Sequence, residues 1–340
     1  MSARSDNRRS PLARRITASR RQLGISQADL GRPYFSKAFI AALEKGAFCP
    51  SRAALDILAN RLALPVIELQ ALRSAVCLEQ TALPAKVNHS IAKLVGEDIE
   101  FQLNYARMLA REGRVDEALG VIDEAQACLV AYSDSLQAYP VYSVPYARAR
   151  AYVQLGELSM ARLELEKALQ AAAGDHEAAA RTRNMLGAVL YAQERPDEAL
   201  HQHLTALYSV HDGQVRDLNL RASLYQNLAN DYWALDMPSL AISSYRKALE
   251  VVRDLDDTNR QGELLWGLGA AYRSAGDWHQ TVLSTVRALQ IFEAAGNGRA
   301  AANALINLAE ALLALERHEE AKQYLQRPKG SSRPRTTSAC

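Results

Sequence analysis

At 340 residues the chain is long enough for two or three domains, and its charges nearly cancel at a formal +2. The balance is uneven: residues 1–75 hold 13 Lys/Arg against 5 Asp/Glu, whereas residues 76–326 hold 23 against 33. No stretch approaches the roughly 18 apolar residues of a membrane span, and no apolar run follows the Arg-rich start, so neither a membrane protein nor a signal peptide is expected.

A basic head on an acidic body is the pattern of a nucleic-acid module joined to a domain that binds something else. Cys49, Cys77, Cys128 and Cys340 are scattered without a Cys-x-x-Cys pair. They fit reduced thiols of a cytoplasmic protein better than disulfides or a zinc site.

In chain order, residues 1–10 are polar and Arg-rich, an expected disordered basic arm. Ser10-Pro11 suits the cap and first position of a helix with Leu12 and Ile16 facing inward. Ser26-Gln27-Ala28-Asp29-Leu30 reads as a short second helix, capped by Ser26 and stopped by Pro33. The third runs from Ser36 to Gly46, which supplies a left-handed stop. Its Phe39, Ile40 and Leu43 form a buried side, and Lys37, Ala38, Ala42 and Lys45 lie off it. Ser51 caps a fourth helix through Leu55, Leu58, Ala59 and Leu62, and Pro65 starts a fifth.

Two short helices across a tight turn, ahead of a further amphipathic helix, form the order of a helix-turn-helix. Residues 12–72 resemble the phage-repressor (Xre/Cro) class of bacterial DNA-binding domains. The residues that carry this are Leu12, Ile16, Arg20, Gly24, Ile25-Ser26-Gln27, Leu30, Ser36, Ile40, Leu43-Glu44, Gly46, Pro50-Ser51, Leu55, Ala59 and Leu62. In place of the family's usual turn glycine stands Arg32-Pro33-Tyr34-Phe35, one residue shorter. The resemblance implies double-stranded DNA as a partner. It points to Ser26, Gln27, Ser36, Lys37, Ala38, Ala42 and Lys45 as the DNA-binding residues, with Lys37 the strong donor to base edges. It also implies a structural pair between Glu44 and Arg20, and a homodimer on two half-sites.

Residues 79–95 read as a linker. Beyond it the chain repeats. Small residues recur at Ala118, Ala161, Ala199, Ala241 and Ala321, with Thr281 in one slot, and a second series lies twelve places earlier at Ala106, Ala149, Gly187, Ala229, Gly269 and Ala309. Small residues at such slots let antiparallel helices approach closely. Residues 96–326 resemble the tetratricopeptide repeat, at a period near 40 in place of the usual 34 or so. About six helix pairs are expected, then a polar tail over 327–340. The fold class is therefore all-α, a five-helix head followed by a tetratricopeptide-repeat solenoid.

No phosphate-binding glycine loop, nucleophile elbow or zinc-protease motif is readable, so no enzyme, cofactor or metal site is expected. His201 and His203 stand about 200° apart on a helix and do not share a face. In stacked helix pairs the first helix of each repeat lines the concave side. Fixed offsets from the small slots place Arg107, Tyr146, Arg150, Asn184, Tyr191, Gln226, Asn230, Trp233, Trp266 and Arg273 on that lining. Amides pair with peptide backbone, arginines take carboxylates, and aromatic rings bury side chains, so a peptide or protein effector is expected there. The reading is a DNA-binding transcriptional regulator with an effector groove. The alternative is an interaction scaffold whose head does not read DNA.

Overall fold

The computed structural model describes residues 10–80, 89–133, 135–136, 139–211, 215–255 and 257–326. The expected arm over 1–9, the middle of the linker and the tail over 327–340 lie outside these. The described residues are all-α, with seventeen helices and no strand. Among them no helix is long and apolar enough to cross a membrane. Two compact units divide the chain, Met1–Ala171 and Ala172–Cys340.

The first unit opens with α1 (Pro11–Gln22), α2 (Gln27–Gly31), α3 (Lys37–Lys45), α4 (Arg52–Arg61) and α5 (Val66–Gln80). Serine starts four of the five, because its hydroxyl accepts a backbone N–H that has no partner within the helix. Ser10, Ser26, Ser36 and Ser51 accept from Ala13, Asp29, Phe39 and Ala54 at 3.1–3.2 Å. Gly46 closes α3 at φ 71°, a left-handed conformation that costs glycine nothing. Leu12, Ile16, Leu30, Phe39, Ile40, Leu43, Leu55, Leu58 and Leu69 are buried together as the head's core.

Next come α6 (His89–Arg111), α7 (Val115–Ala131), α8 (Ser143–Leu155) and α9 (Leu158–Ala171). Residues 89–95, read as linker, belong to α6. The polar Ser90 hides the fact that Ala92, Leu94 and Val95 are apolar at helical spacing, and they are buried in the same cluster as the head's core. The linker therefore does not separate two bodies: head and first helix pairs form one unit. The thiols also depart from expectation. Cys128 is free, its pKa pushed up to about 12 by burial, but Cys49 is disulfide-bonded.

The second unit stacks four pairs: α10 (His176–Ala192) with α11 (Pro196–His211), α12 (Leu218–Ala234) with α13 (Pro238–Arg253), α14 (Thr258–Ser274) with α15 (Trp278–Ala294), and α16 (Gly298–Ala314) with α17 (His318–Gln326). Every small slot of both series is buried throughout the array. The reason is explicit at Gly187, where an added Cβ would stand 2.4 Å from the His203 ring. One further regularity escaped the sequence reading. Five places before each anchor the backbone turns through positive φ, at Gly113, Gly156, Glu194, Asp236, Gly276 and Glu316. Glycine suits that turn, but three positions force it on a side-chain-bearing residue.

Candidate nucleic-acid interface and first-helix face

On α3 the buried side holds Phe39, Ile40, Leu43 and Glu44, and Lys37, Ala38 and Lys45 stand exposed opposite. Ala42 is half-buried and packs partly on the core, so it offers less surface than expected. On α1, Arg14 and Arg21 are also exposed, and none of these four cations has an ion pair among the described residues. Arg15, Arg20 and Arg73, by contrast, are taken up by Glu68, Glu44 and Glu124.

The pair of Arg20 with Glu44 is nearly excluded from water. Arg20 Nε donates to Glu44 Oε1 at 2.5 Å and Nη2 to Oε2 at 3.1 Å, while Nη1 holds the Ile25 carbonyl at 2.8 Å. Burial works to raise the Glu44 carboxyl. Hydrogen bonds from Arg20 and Gln27 and the charge of Arg20 outweigh it and hold the carboxyl below its ordinary value. Gln27 Nε2 donates to Glu44 Oε2 at 2.8 Å, so the amide read as a phosphate holder is partly committed inside the head. Ser26 remains exposed at the start of α2.

Ser36 is not free either. Its N–H and hydroxyl both donate to Glu97 of α6, the hydroxyl at 3.0 Å. A helix N-terminus attracts anions, so Glu97 and a phosphate at this place exclude one another. The next residue repeats the device at α4: Asp98 takes the Ser51 N–H at 2.7 Å and its hydroxyl at 2.6 Å, and Glu124 of α7 accepts from the Arg52 N–H at 3.2 Å. Asp98 is fully buried, and burial raises its pKa to about 7 against the hydrogen bonds from Ser51.

Beside these carboxylates Phe101 seats its ring 4.7 Å from Phe35 and 5.5 Å from Tyr34, and Phe35 stacks on Phe39 of α3 at 4.4 Å. The Tyr34-Phe35 stretch that replaces the turn glycine thus forms a socket for the first repeat helix. None of Glu97, Asp98, Phe101 or Glu124 was found from sequence, since nothing local marks a partner 47 to 72 places away.

The first-helix face of the second unit brings several expected residues together and ties others up. Asn184 Oδ1 accepts from Asn227 Nδ2 at 3.0 Å, and Asn230 Oδ1 accepts from the Tyr245 hydroxyl at 2.5 Å. With both oxygens engaged, Asn184 and Asn230 keep their amide N–H groups as donors. Gln226 and Tyr191 are half-buried beside them on the same helices. Trp233 and Trp266 are 43% and 37% exposed, and Trp233 Nε1 donates to Ser274 Oγ at 2.9 Å. Arg273 Nη1 donates to Glu310 at 2.5 Å, an ion pair within this face. Arg107, Tyr146 and Arg150 lie on the first unit.

Behind this face His203 is buried. Its Nδ1 lies 2.6 Å from Asp231 Oδ2 and its Nε2 lies 3.1 Å from the Asn184 carbonyl, so Nε2 carries a proton. Burial raises the Asp231 carboxyl, with His203 opposing. The pair fixes α11 and α12 under Asn184 and Asn230. Among the described residues no group of three His, Cys, Asp or Glu could hold a metal ion.

Residues 146–175, 222–253 and 302–327 match the tetratricopeptide repeat family. No curated protein matches the chain. Among solved structures, apo RapI is similar at a TM-score of 0.55 and 14% identity, covering 78% of this chain and 70% of that one. A Rap protein complexed with Competence and Sporulation Factor is similar at 0.50 and 15%, covering 76% and 69%. Bacillus thuringiensis PlcR, in complex with the peptide PapR7 and DNA, covers 94% and 100% at 0.48 and 14% identity. These likenesses concern the fold.

Proposed function

We propose that this chain is a DNA-binding transcriptional regulator whose repeats bind a peptide or protein effector. The observation that carries the reading is the two-sided α3. Its apolar side is locked into the core by Phe39, Ile40 and Leu43, and its outer side stands open with Lys37 and Lys45. Arg14 and Arg21 add unpaired positive charge on α1 of the same head. A helix so presented fits the major groove, where Lys37 reaches guanine O6 and N7 and Ala38 offers a methyl contact. The neighbouring cations neutralise phosphates and set position without reading sequence. Two heads on a paired site are the arrangement such a domain uses, and the regulator acts as a homodimer.

The effector half rests on the first-helix face of the second unit, where Asn184 and Asn230 present donors beside Trp233, Trp266 and Tyr191. Donors of this kind meet the carbonyls of an extended chain, and the exposed rings cover its side chains. The similar Rap structure holds Competence and Sporulation Factor, which agrees with a ligand for repeats of this fold.

The test is fluorescence anisotropy with a labelled duplex taken from upstream of the chain's own gene. Lys37→Ala is expected to weaken binding by about 1–3 kcal/mol and to relax preference for that duplex over random sequence. Unchanged affinity and unchanged preference would show that α3 does not read DNA in this way.

A further inference from the structure

We propose that Glu97 is an autoinhibitory residue: its carboxylate holds the place of one DNA phosphate at the start of α3, so the head binds a duplex with one contact fewer than it can make. The inference rests on the DNA-reading half of the proposed function and adds a brake supplied by the first repeat helix.

The start of α3 takes an anion in this structure, because one already sits there. The N–H and hydroxyl of Ser36 both donate to the Glu97 carboxylate, the hydroxyl at 3.0 Å, and the same hydroxyl accepts the Phe39 N–H at 3.1 Å. Ser36, Lys37 and Ala38 are all exposed, so the end of α3 that a duplex would meet is the end that Glu97 occupies. Glu97 makes no ion pair among the described residues, whereas Glu44, Glu68 and Glu124 hold Arg20, Arg15 and Arg73. What holds Glu97 is the pair of Ser36 donors and the partial positive charge of the helix start.

Two adjacent carboxylates of α6 use the same contact to different ends. Asp98 meets the N–H and hydroxyl of Ser51, but it is buried. With Phe101 packed on Phe35 and Glu124 on Arg73, it keeps the first repeat docked on the head. Glu97 is half-buried, and its hydrogen bonds to Ser36 lie at the exposed edge of that contact. It can swing into water while the dock holds. As long as it stays, a full negative charge stands beside Lys37, well inside the screening length of about 10 Å, and repels the strand. A phosphate needs the same two donors and the same helix start, so only one of the two anions can be seated.

The experiment is fluorescence anisotropy of a labelled duplex from upstream of the chain's own gene, with full-length parent, Glu97→Gln and Glu97→Ala across a salt series. Glu97→Gln keeps the side chain's shape and removes its charge, and Glu97→Ala removes the acceptor altogether. The two perturb the fold differently, so a folded state in either suffices for the reading. Both are expected to bind about fivefold tighter at low salt, the effect of one anion at a helix start. The slope of log affinity against log salt should steepen by about 0.9, the mark of one added phosphate contact. Glu100→Gln, which removes an exposed acid three places further along α6, should keep the parent's slope. Parent-like affinity and slope in the Glu97 variants overturn the proposal and leave the DNA-reading head standing. Weaker binding overturns it as well, because Glu97 is then a structural cap, and so does equal steepening in Glu100→Gln. Binding by the Glu97 variants where the parent shows none supports the proposal. Failure of every variant and of the parent to bind at any salt refutes the DNA-reading head itself, and the brake falls with it.

Discussion

Arg20→Ala is expected to destabilise the head by about 3–5 kcal/mol, the cost of stranding a buried charge. Glu44 loses both guanidinium bonds and keeps only Gln27, while the Ile25 carbonyl loses its partner. The same cross-link ties α1 to α3, so the loss also loosens the angle of the outward-facing helix. Trp233, Trp266 and Trp278 all lie in the second unit, and fluorescence is therefore a poor reporter. Hydrogen exchange of α1–α5 in the full chain, read by mass spectrometry, is the suitable measurement. A loss below about 1 kcal/mol would place the pair among ordinary surface ion pairs. The sign with pH follows from the lowered Glu44 value. Its contribution is fully present above the unfolded carboxylate pKa near about 4.3 and is lost as pH falls through the lower folded value.

Phe101→Ala should be comparably severe, about 3–5 kcal/mol, because it empties the socket formed by Tyr34 and Phe35. Exchange in α3 and α6 is expected to accelerate together, since the ring joins the Tyr34-Phe35 stretch before α3 to α6. If only α6 accelerates, the head does not depend on the first repeat. The neighbouring Asp98 gives the same contact a pH dependence of opposite sign to that of Glu44. Its carboxyl is raised to about 7 by burial, with Ser51 and Arg73 opposing and Glu124 assisting. Its stabilising contribution is full below the unfolded value near about 3.9 and is lost as pH rises through about 7. Asp98→Asn mimics the protonated form and should flatten that dependence between those limits.

Much of the head was legible because its signals are local. A serine before an apolar period and a glycine after it each act within one helix, whereas the pair of Glu44 with Arg20 came from the resemblance and not from any local signal. The repeat slots were legible for the same reason, as identical packing recurs at a fixed spacing. What stayed hidden depends on partners far along the chain. Phe101 reads as an ordinary apolar residue until Tyr34-Phe35 is brought to it, and Glu97 and Asp98 read as a solvated acidic turn until Ser36 and Ser51 are. Polarity misled at residues 89–95, where one helix face is apolar; the hydrogen bond of Gln27 to Glu44 and the ion pair of Arg273 with Glu310 also had no local signal. His203 was rightly separated from His201, but its buried contact with Asp231 left no local trace.

The most direct measurement of the central claim is the salt dependence of duplex binding by the full chain. Each phosphate neutralised by the head releases condensed counterion, so log affinity should fall linearly with log salt at a slope of roughly −0.9 per contact. With Lys37 and Lys45 of α3 and Arg14 and Arg21 of α1 exposed and unpaired on the head, a slope steeper than about −3 is predicted, reduced by about one in Lys45→Ala. Binding that is absent at low salt, or indifferent to salt, would contradict a DNA-reading head and favour an interaction scaffold.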